Sequence, residues 1–174
     1  MALVHDDPNE RDDARPLPIA EAWSLLSPEA TLRLDDALWS RQAQTFFDLE
    51  LHLAAPPRFF EGGERATFAL DLTAAGVTTR VVVVTFPIGD APHVIYAANQ
   101  GVFAIGGAGM DALVARAKRA FQVRTAIDCG DARAPLAVAA VLASVLLAPI
   151  VPPTGDTIFG VRGARLRLEQ AGWG

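Results

Sequence analysis

Two hydrophobic periods alternate along the chain. Ile19, Ala22, Trp23 and Leu26 recur at helical spacing and predict a first helix. Ser27-Pro28-Glu29 then carries the marks of a second helix start: a capping hydroxyl, a proline suited to the first turn, and a carboxylate at the positive end of the helix dipole. That helix is expected to run to about Arg41, packing through Ala30, Leu34, Ala37 and Leu38. Beyond it the period falls to two. Phe47, Leu49, Leu51 and Leu53 alternate with Asp48, Glu50 and His52, which describes a strand with one buried and one wet face. AAPPRFFEGGE reads as a loop. In residues 65–73, Phe68, Leu70 and Leu72 alternate with Asp71 and Thr73, and Ala74-Ala75-Gly76 reverses the chain into VTTRVVVVTF. HVIYAA and VFAI predict a fourth and a fifth strand joined through Asn99-Gln100-Gly101. The remainder predicts a helix from Asp111 to Gln122 and a short strand from Arg124 to Asp128. An alanine-rich helix and a last short helix in FGVRGARLRLEQAGWG follow.

Strands two to five follow one another as hairpins. The expected fold is therefore α+β: an antiparallel meander of about five strands, with N-terminal and C-terminal helices packed on one face. Residues 1–17, acidic and broken by Pro8 and Pro16, read as a disordered tail, and residues 18–174 as a single domain. A chain of 174 residues is long enough to bury a core without a metal or disulfide staple.

Composition adds one inference and removes several. Hydrophobic residues make up 51% of the chain and charged residues only 20%, a surplus that a self-association surface explains, with a homodimer the commonest form. The net charge is -5, but Asp6, Asp7, Glu10, Asp12 and Asp13 all lie in the tail, so the body is near neutral. It lacks the basic footprint of a nucleic-acid binder. Lys118 is the only lysine among 15 basic residues, a bias suited to a GC-rich bacterial genome. Cys129 is the only cysteine, which excludes an intrachain disulfide and a cysteine-based zinc site. The acidic N-terminus has no apolar core of the signal-peptide kind. Pro135 and Pro149 shorten the apolar run Ala134 to Val151 to a core helix, so no membrane contact and a cytoplasmic location are expected.

The most suggestive motif is VFAIGGAGMDALVARAKRAFQVRTAID, with Gly106, Gly107 and Gly109 at its bend. Gly107 to Ala112 fits G-x-G-x-x-[GA], and Asp128 closes the next apparent strand. The segment is similar to the first βαβ unit of a Rossmann domain. The likeness implies a nucleotide, with Gly107 and Gly109 at the pyrophosphate and Asp128 at the ribose. Three features oppose it. Asp111 places a carboxylate where the phosphates would sit, the feeding strand reads as half of a hairpin, and too little chain follows Asp128 for the remaining crossovers. A sharp turn made possible by glycine accounts for the bend without a ligand.

Three further sets carry candidate chemistry. Asp48, Glu50 and His52 would project from one strand face and hold a divalent metal if Asp71 and Arg80 of the next hairpin closed the site. A solvated face shows the same alternation. Arg162, Arg165 and Arg167 would hold a small anionic ligand such as a phosphate, or the acidic tail of another copy. Cys129 would be a nucleophile only beside a base, and a buried thiol is the plainer reading. Phe59 and Phe60 suit a lid, a protein contact or a fold-back onto the core. The sequence names no cofactor. It favours a non-catalytic cytoplasmic binding or assembly module whose partner is itself. The rivals are a small nucleotide-dependent enzyme built on residues 106–112 and a metal-assisted enzyme built on Glu50 and His52.

Overall fold

The computed structural model describes residues 14–125 and 130–173. In chain order the elements are β1 (Ala22–Ser27), α1 (Asp36–Phe47), β2 (Glu50–Leu53), β3 (Arg58–Phe60), β4 (Arg65–Ala74), β5 (Val77–Pro87), α2 (Pro92–Ala104), α3 (Met110–Ala115), β6 (Arg119–Arg124), α4 (Ala134–Leu146), β7 (Ile150–Val151) and α5 (Val161–Gln170). The strands form one antiparallel sheet in the order β2-β4-β5-β6-β1-β7, and β3 pairs with β4 beside β2. Pro56 and Pro57, which have no N–H to donate, fall between β2 and β3 and divide that edge in two. The α+β class and the antiparallel sheet expected from the sequence are thus what the chain adopts, with seven strands among the described residues.

The two sheet faces carry different cores. On one, Leu25, Phe68, Leu70, Leu72, Val81, Val83, Phe121 and Val123 pack against α1, α4 and α5, so helices from both ends of the chain share a face. On the other, Ala22, Leu26, Val84, Phe86, Ala120 and Val151 pack against α2 and α3. The second layer reaches only the β5-β6-β1-β7 half, because at the β2-β4 end that face carries Glu50, His52, Asp71 and Arg80.

Helix α4 lies deepest, with every residue from Ala134 to Ala143 buried. Its alanines allow close approach to the sheet, while Val138, Val141 and Leu142 supply most of the apolar area removed from water. Among the described residues no helix is long and apolar enough to cross a membrane. Helix α1 starts where Asp35 Oδ1 accepts the Leu38 N–H at 3.0 Å. It ends at Asp48, whose left-handed backbone (φ 53°) turns the chain into β2. Along the way it shields the sheet edge: Asp36 accepts the Leu53 N–H at 2.9 Å, and the Ser40 hydroxyl donates to the Leu51 carbonyl.

Several sequence expectations give way here. Residues 22–27 form a strand, not a helix, because β1 is covered on both faces and its apolar residues therefore lose the period-two signature. Ser27 Oγ does accept the Glu29 N–H at 3.2 Å, but the turn propagates no helix, and α1 begins at Asp36. Residues 93–98 and 102–105 are not two strands: residues 92–104 form the single helix α2, with Pro92 in its first turn. The helix expected from Asp111 to Gln122 stops at Ala115, and Arg119–Arg124 is the strand β6. The strand expected over 124–128 falls mostly on residues 126–128, outside the described residues. So do residues 1–13 of the tail. Ala14 and Leu17, placed within that tail by the sequence, are buried.

Leu17 is held by a buried side chain. Gln122 Oε1 accepts the Leu17 N–H at 2.6 Å, and Gln122 Nε2 donates to the Leu17 carbonyl at 2.9 Å and to Ser24 Oγ at 3.1 Å. The carboxamide offers one acceptor and two donors, and all three are used. His93 Nε2 lies 2.8 Å from the same carbonyl, tying the start of α2 to this segment.

Candidate functional site

The glycine bend joins two helices. Residues 102–104, read from the sequence as part of the strand feeding it, are the last turn of α2, and α3 follows at Met110. This corrects the strand-to-helix context on which the Rossmann likeness rests. Gly106, Gly107 and Gly109 have φ of 74°, 86° and 83°, a conformation side chains resist, so the turn needs glycine. A Cβ at any of the three would meet nothing within 4 Å, so the bend stands in open space rather than packing closely. Asp111 does lie in the first turn of α3. Asp128, the proposed ribose ligand, and Cys129 lie outside the described residues.

The metal set divides. Glu50 and His52 are exposed neighbours on β2, but Asp48 is the left-handed cap of α1, where it accepts a hydrogen bond from Gln44 Nε2 at 3.1 Å. Register does bring His52 opposite Asp71, and Asp71 opposite Arg80, in one row across three strands. Arg80 closes that row on itself. Its Nε and Nη2 donate to the two Asp71 oxygens at 3.0 and 3.1 Å, engaging the carboxylate a metal would need. Among the described residues no group of three His, Cys, Asp or Glu side chains is placed to hold a metal ion.

The α5 arginines do not converge. Arg167 turns inward, its guanidinium 3.7 Å from the Phe159 ring centre, while Arg162 is exposed. Arg165 lies over Phe47 at 5.4 Å and donates to the Phe46 carbonyl at 2.6 Å. Its company is unexpected: Arg165, Asp48, Glu169, Phe46, Phe47 and Trp173 line a cleft of about 380 Å³ between the end of α1 and α5. The cleft is lined by two carboxylates, Asp48 and Glu169, as well as by the Arg165 guanidinium. Arg133 lies over the Trp173 ring at 4.5 Å and pairs with Asp131, whose carboxyl is held below its ordinary value chiefly by that hydrogen bond. Phe59 sits in β3 and is 56% exposed, so it does not fold back onto the core.

One buried cation fastens three segments. Arg119 donates to the Ala30 carbonyl at 3.0 Å, to the Glu64 carbonyl at 2.8 Å and to Thr85 Oγ1 at 3.2 Å. Burial lowers its pKa, with Glu64 and Asp90 opposing the shift. All three of these partners are neutral oxygens of the fold, which makes this an architectural site.

The outward face of α2 is the feature that sequence reasoning missed. Val94, Ala97, Ala98 and Gly101 are buried, with Gly101 against the backbone of Thr157 and Ile158. At 100° per residue, Tyr96 and Phe103 fall on the opposite side of the helix. Tyr96 is 68% exposed and Phe103 is 86% exposed, with Asn99 and Gln100, both exposed, between them. From Pro92 to Ala104 there is no Asp, Glu, Lys or Arg. Water-facing helices of monomers ordinarily carry charge there, so a neutral face with two open aromatic rings has the composition of a contact surface. The signal was present in the sequence as apolar residues at 94, 97, 98 and 101 and aromatics seven positions apart. No protein-family model matches the chain, and comparison with curated proteins and with solved structures finds no significant similarity.

Proposed function

We propose that this chain is a non-catalytic cytoplasmic binding or assembly module that works as a homo-oligomer. One observation carries the reading: the charge-free outer face of α2, where Tyr96 and Phe103 stand in water on a helix whose other side is fully packed. Large open rings without neighbouring charge are favoured where a partner will remove them from solvent. The remaining chemistry agrees. The Asp71 carboxylate is committed to Arg80, the Arg119 guanidinium to backbone and hydroxyl oxygens, and the glycine bend to a turn between two helices. A single cysteine suits a reducing compartment.

The test is the mass of the purified chain in solution. Size-exclusion chromatography with light scattering, run from low to high micromolar concentration, is expected to show a concentration-dependent rise above 18.5 kDa. A strictly monomeric mass throughout would end this reading.

A further inference from the structure

We infer that two copies pair through α2, antiparallel, about a two-fold axis between Asn99 and Gln100, so that each Tyr96 ring meets the partner's Phe103. The inference rests on the self-association reading and gives it a surface and a geometry. Its basis is that the exposed face is self-complementary. From Tyr96 through Asn99 and Gln100 to Phe103 the order is aromatic, amide, amide, aromatic, and it reads the same from either end. The two rings are separated by about 10.5 Å along the axis and by about 20° around it, from a rise of roughly 1.5 Å and a turn of about 100° per residue. A two-fold axis at the midpoint therefore brings ring onto ring at both ends. At the centre each amide meets its own copy. Carboxamides are self-complementary, since each both donates and accepts.

A second copy also suits the charge. The body of the chain is near neutral and α2 carries no Asp, Glu, Lys or Arg, so no charge has to leave water when two copies meet there. Rings of this size bury about 150 to 250 Å² each, so the exposed parts of Tyr96 and Phe103 offer roughly 300 Å² per copy. With the flanking residues the total stays below about 1,200 Å², the class of weak, reversible interfaces. The pair is accordingly expected to form and dissociate within the micromolar range.

The test uses the whole chain with Cys129→Ser as background. Asn99→Cys is expected to give a disulfide-linked dimer under mild oxidation, because this residue lies beside its own copy at the axis. Gln170→Cys, exposed on α5, serves as the control and is expected to remain largely uncrosslinked. Phe103→Asp is expected to weaken association by at least about 30-fold, a hot-spot-sized loss. Its melting temperature, read at a concentration where wild type is monomeric, is expected to stay unchanged, because Phe103 is 86% exposed. Should Phe103→Asp fold poorly, the cysteine pair decides alone. A wild-type dimer that survives Phe103→Asp, with Asn99→Cys crosslinking no more than Gln170→Cys, overturns the α2 interface while leaving self-association intact. A chain that is monomeric at every concentration overturns both.

Discussion

Gly101→Ala sets two physical effects of opposite sign against each other. In a helix interior the change from glycine to alanine stabilises by about 1 kcal/mol, because alanine loses less backbone freedom on folding. At this position, however, a Cβ would lie 2.6 Å from both the carbonyl carbon and oxygen of Thr157 and 3.0 Å from the Ile158 nitrogen. Normal contact for carbon is about 3.5 to 4.0 Å, so α2 and the 157–158 segment would have to part by roughly 1 Å. Neither side yields easily. The segment is fastened by reciprocal hydrogen bonds between Ile150 and Phe159 at 2.7 and 3.0 Å, and the same helix face buries Val94, Ala97 and Ala98. Overpacking of this kind costs about 1 to 3 kcal/mol and occasionally more, which exceeds the propensity gain. The expected net loss is about 1 to 2 kcal/mol, seen in calorimetry as a fall in Tm of roughly 2 to 8 °C. Gly106→Ala is the control. Nothing stands near its Cβ, so its cost of about 1 to 2 kcal/mol comes from the left-handed backbone alone, at φ 74°. An unchanged or raised Tm for Gly101→Ala would refute the close packing of α2 on residues 157 and 158.

Three other perturbations report on separate parts of the fold. Gln122→Leu removes both ends of the clamp on Leu17, with an expected loss of about 1 to 3 kcal/mol and faster hydrogen exchange at the Leu17 amide; unaltered exchange there would contradict the clamp. Asp131 has its folded pKa depressed by Arg133. Its stabilising contribution is therefore present above the unfolded carboxyl value near 3.8 and is lost as pH falls through the folded value. Wild type should accordingly lose stability faster than Asp131→Asn on acidification below about pH 4, by no more than about 1 kcal/mol for a partly exposed pair, and parallel melting curves would count against it. Leu142→Ala opens a void in a helix buried on all sides and is expected to cost about 2 to 5 kcal/mol in urea unfolding while leaving the association of folded chains intact; a loss below about 1 kcal/mol would contradict the depth assigned to α4.

How far the sequence could be read depended on which elements face water on one side. β4 and the outer part of β5 alternate because their second face is open, and both were legible along with the Ala74-Ala75-Gly76 reversal. α4 and α5 were legible too, one as an alanine-rich core helix and the other as a last short helix. β1 was not, since a strand covered on both faces buries its serines, Ser24 and Ser27, along with its apolar residues and shows no alternation. α2 was misread because Val94, Ile95, Tyr96, Val102 and Phe103 favour strands, and Asn99-Gln100-Gly101 imitates a turn. The glycine at that apparent turn is there for a different reason, to let the helix approach another backbone. The candidate chemistry suffered from the same error. Asp48 belonged to the metal set only while residues 47–53 were one strand, and the nucleotide bend required a strand where α2 ends.

The misreading of α2 also bears on the apolar surplus from which self-association was first inferred. An average of 51% hydrophobic residues does not say where the excess lies. Much of it goes to α4, which buries ten consecutive residues, Ala134 to Ala143, between the sheet, α1 and α5. A helix enclosed in that way accounts for a high apolar fraction within a single copy. α2 is equally free of Asp, Glu, Lys and Arg, yet only half of its circumference is covered. The two helices thus share a composition and differ in environment, and only the second leaves aromatic area in water. The self-association proposal therefore rests on the position of Tyr96 and Phe103 rather than on the composition of the chain. Substitution at Phe103 then separates assembly from folding, because a ring that gains little from the monomer's own core contributes little to its stability.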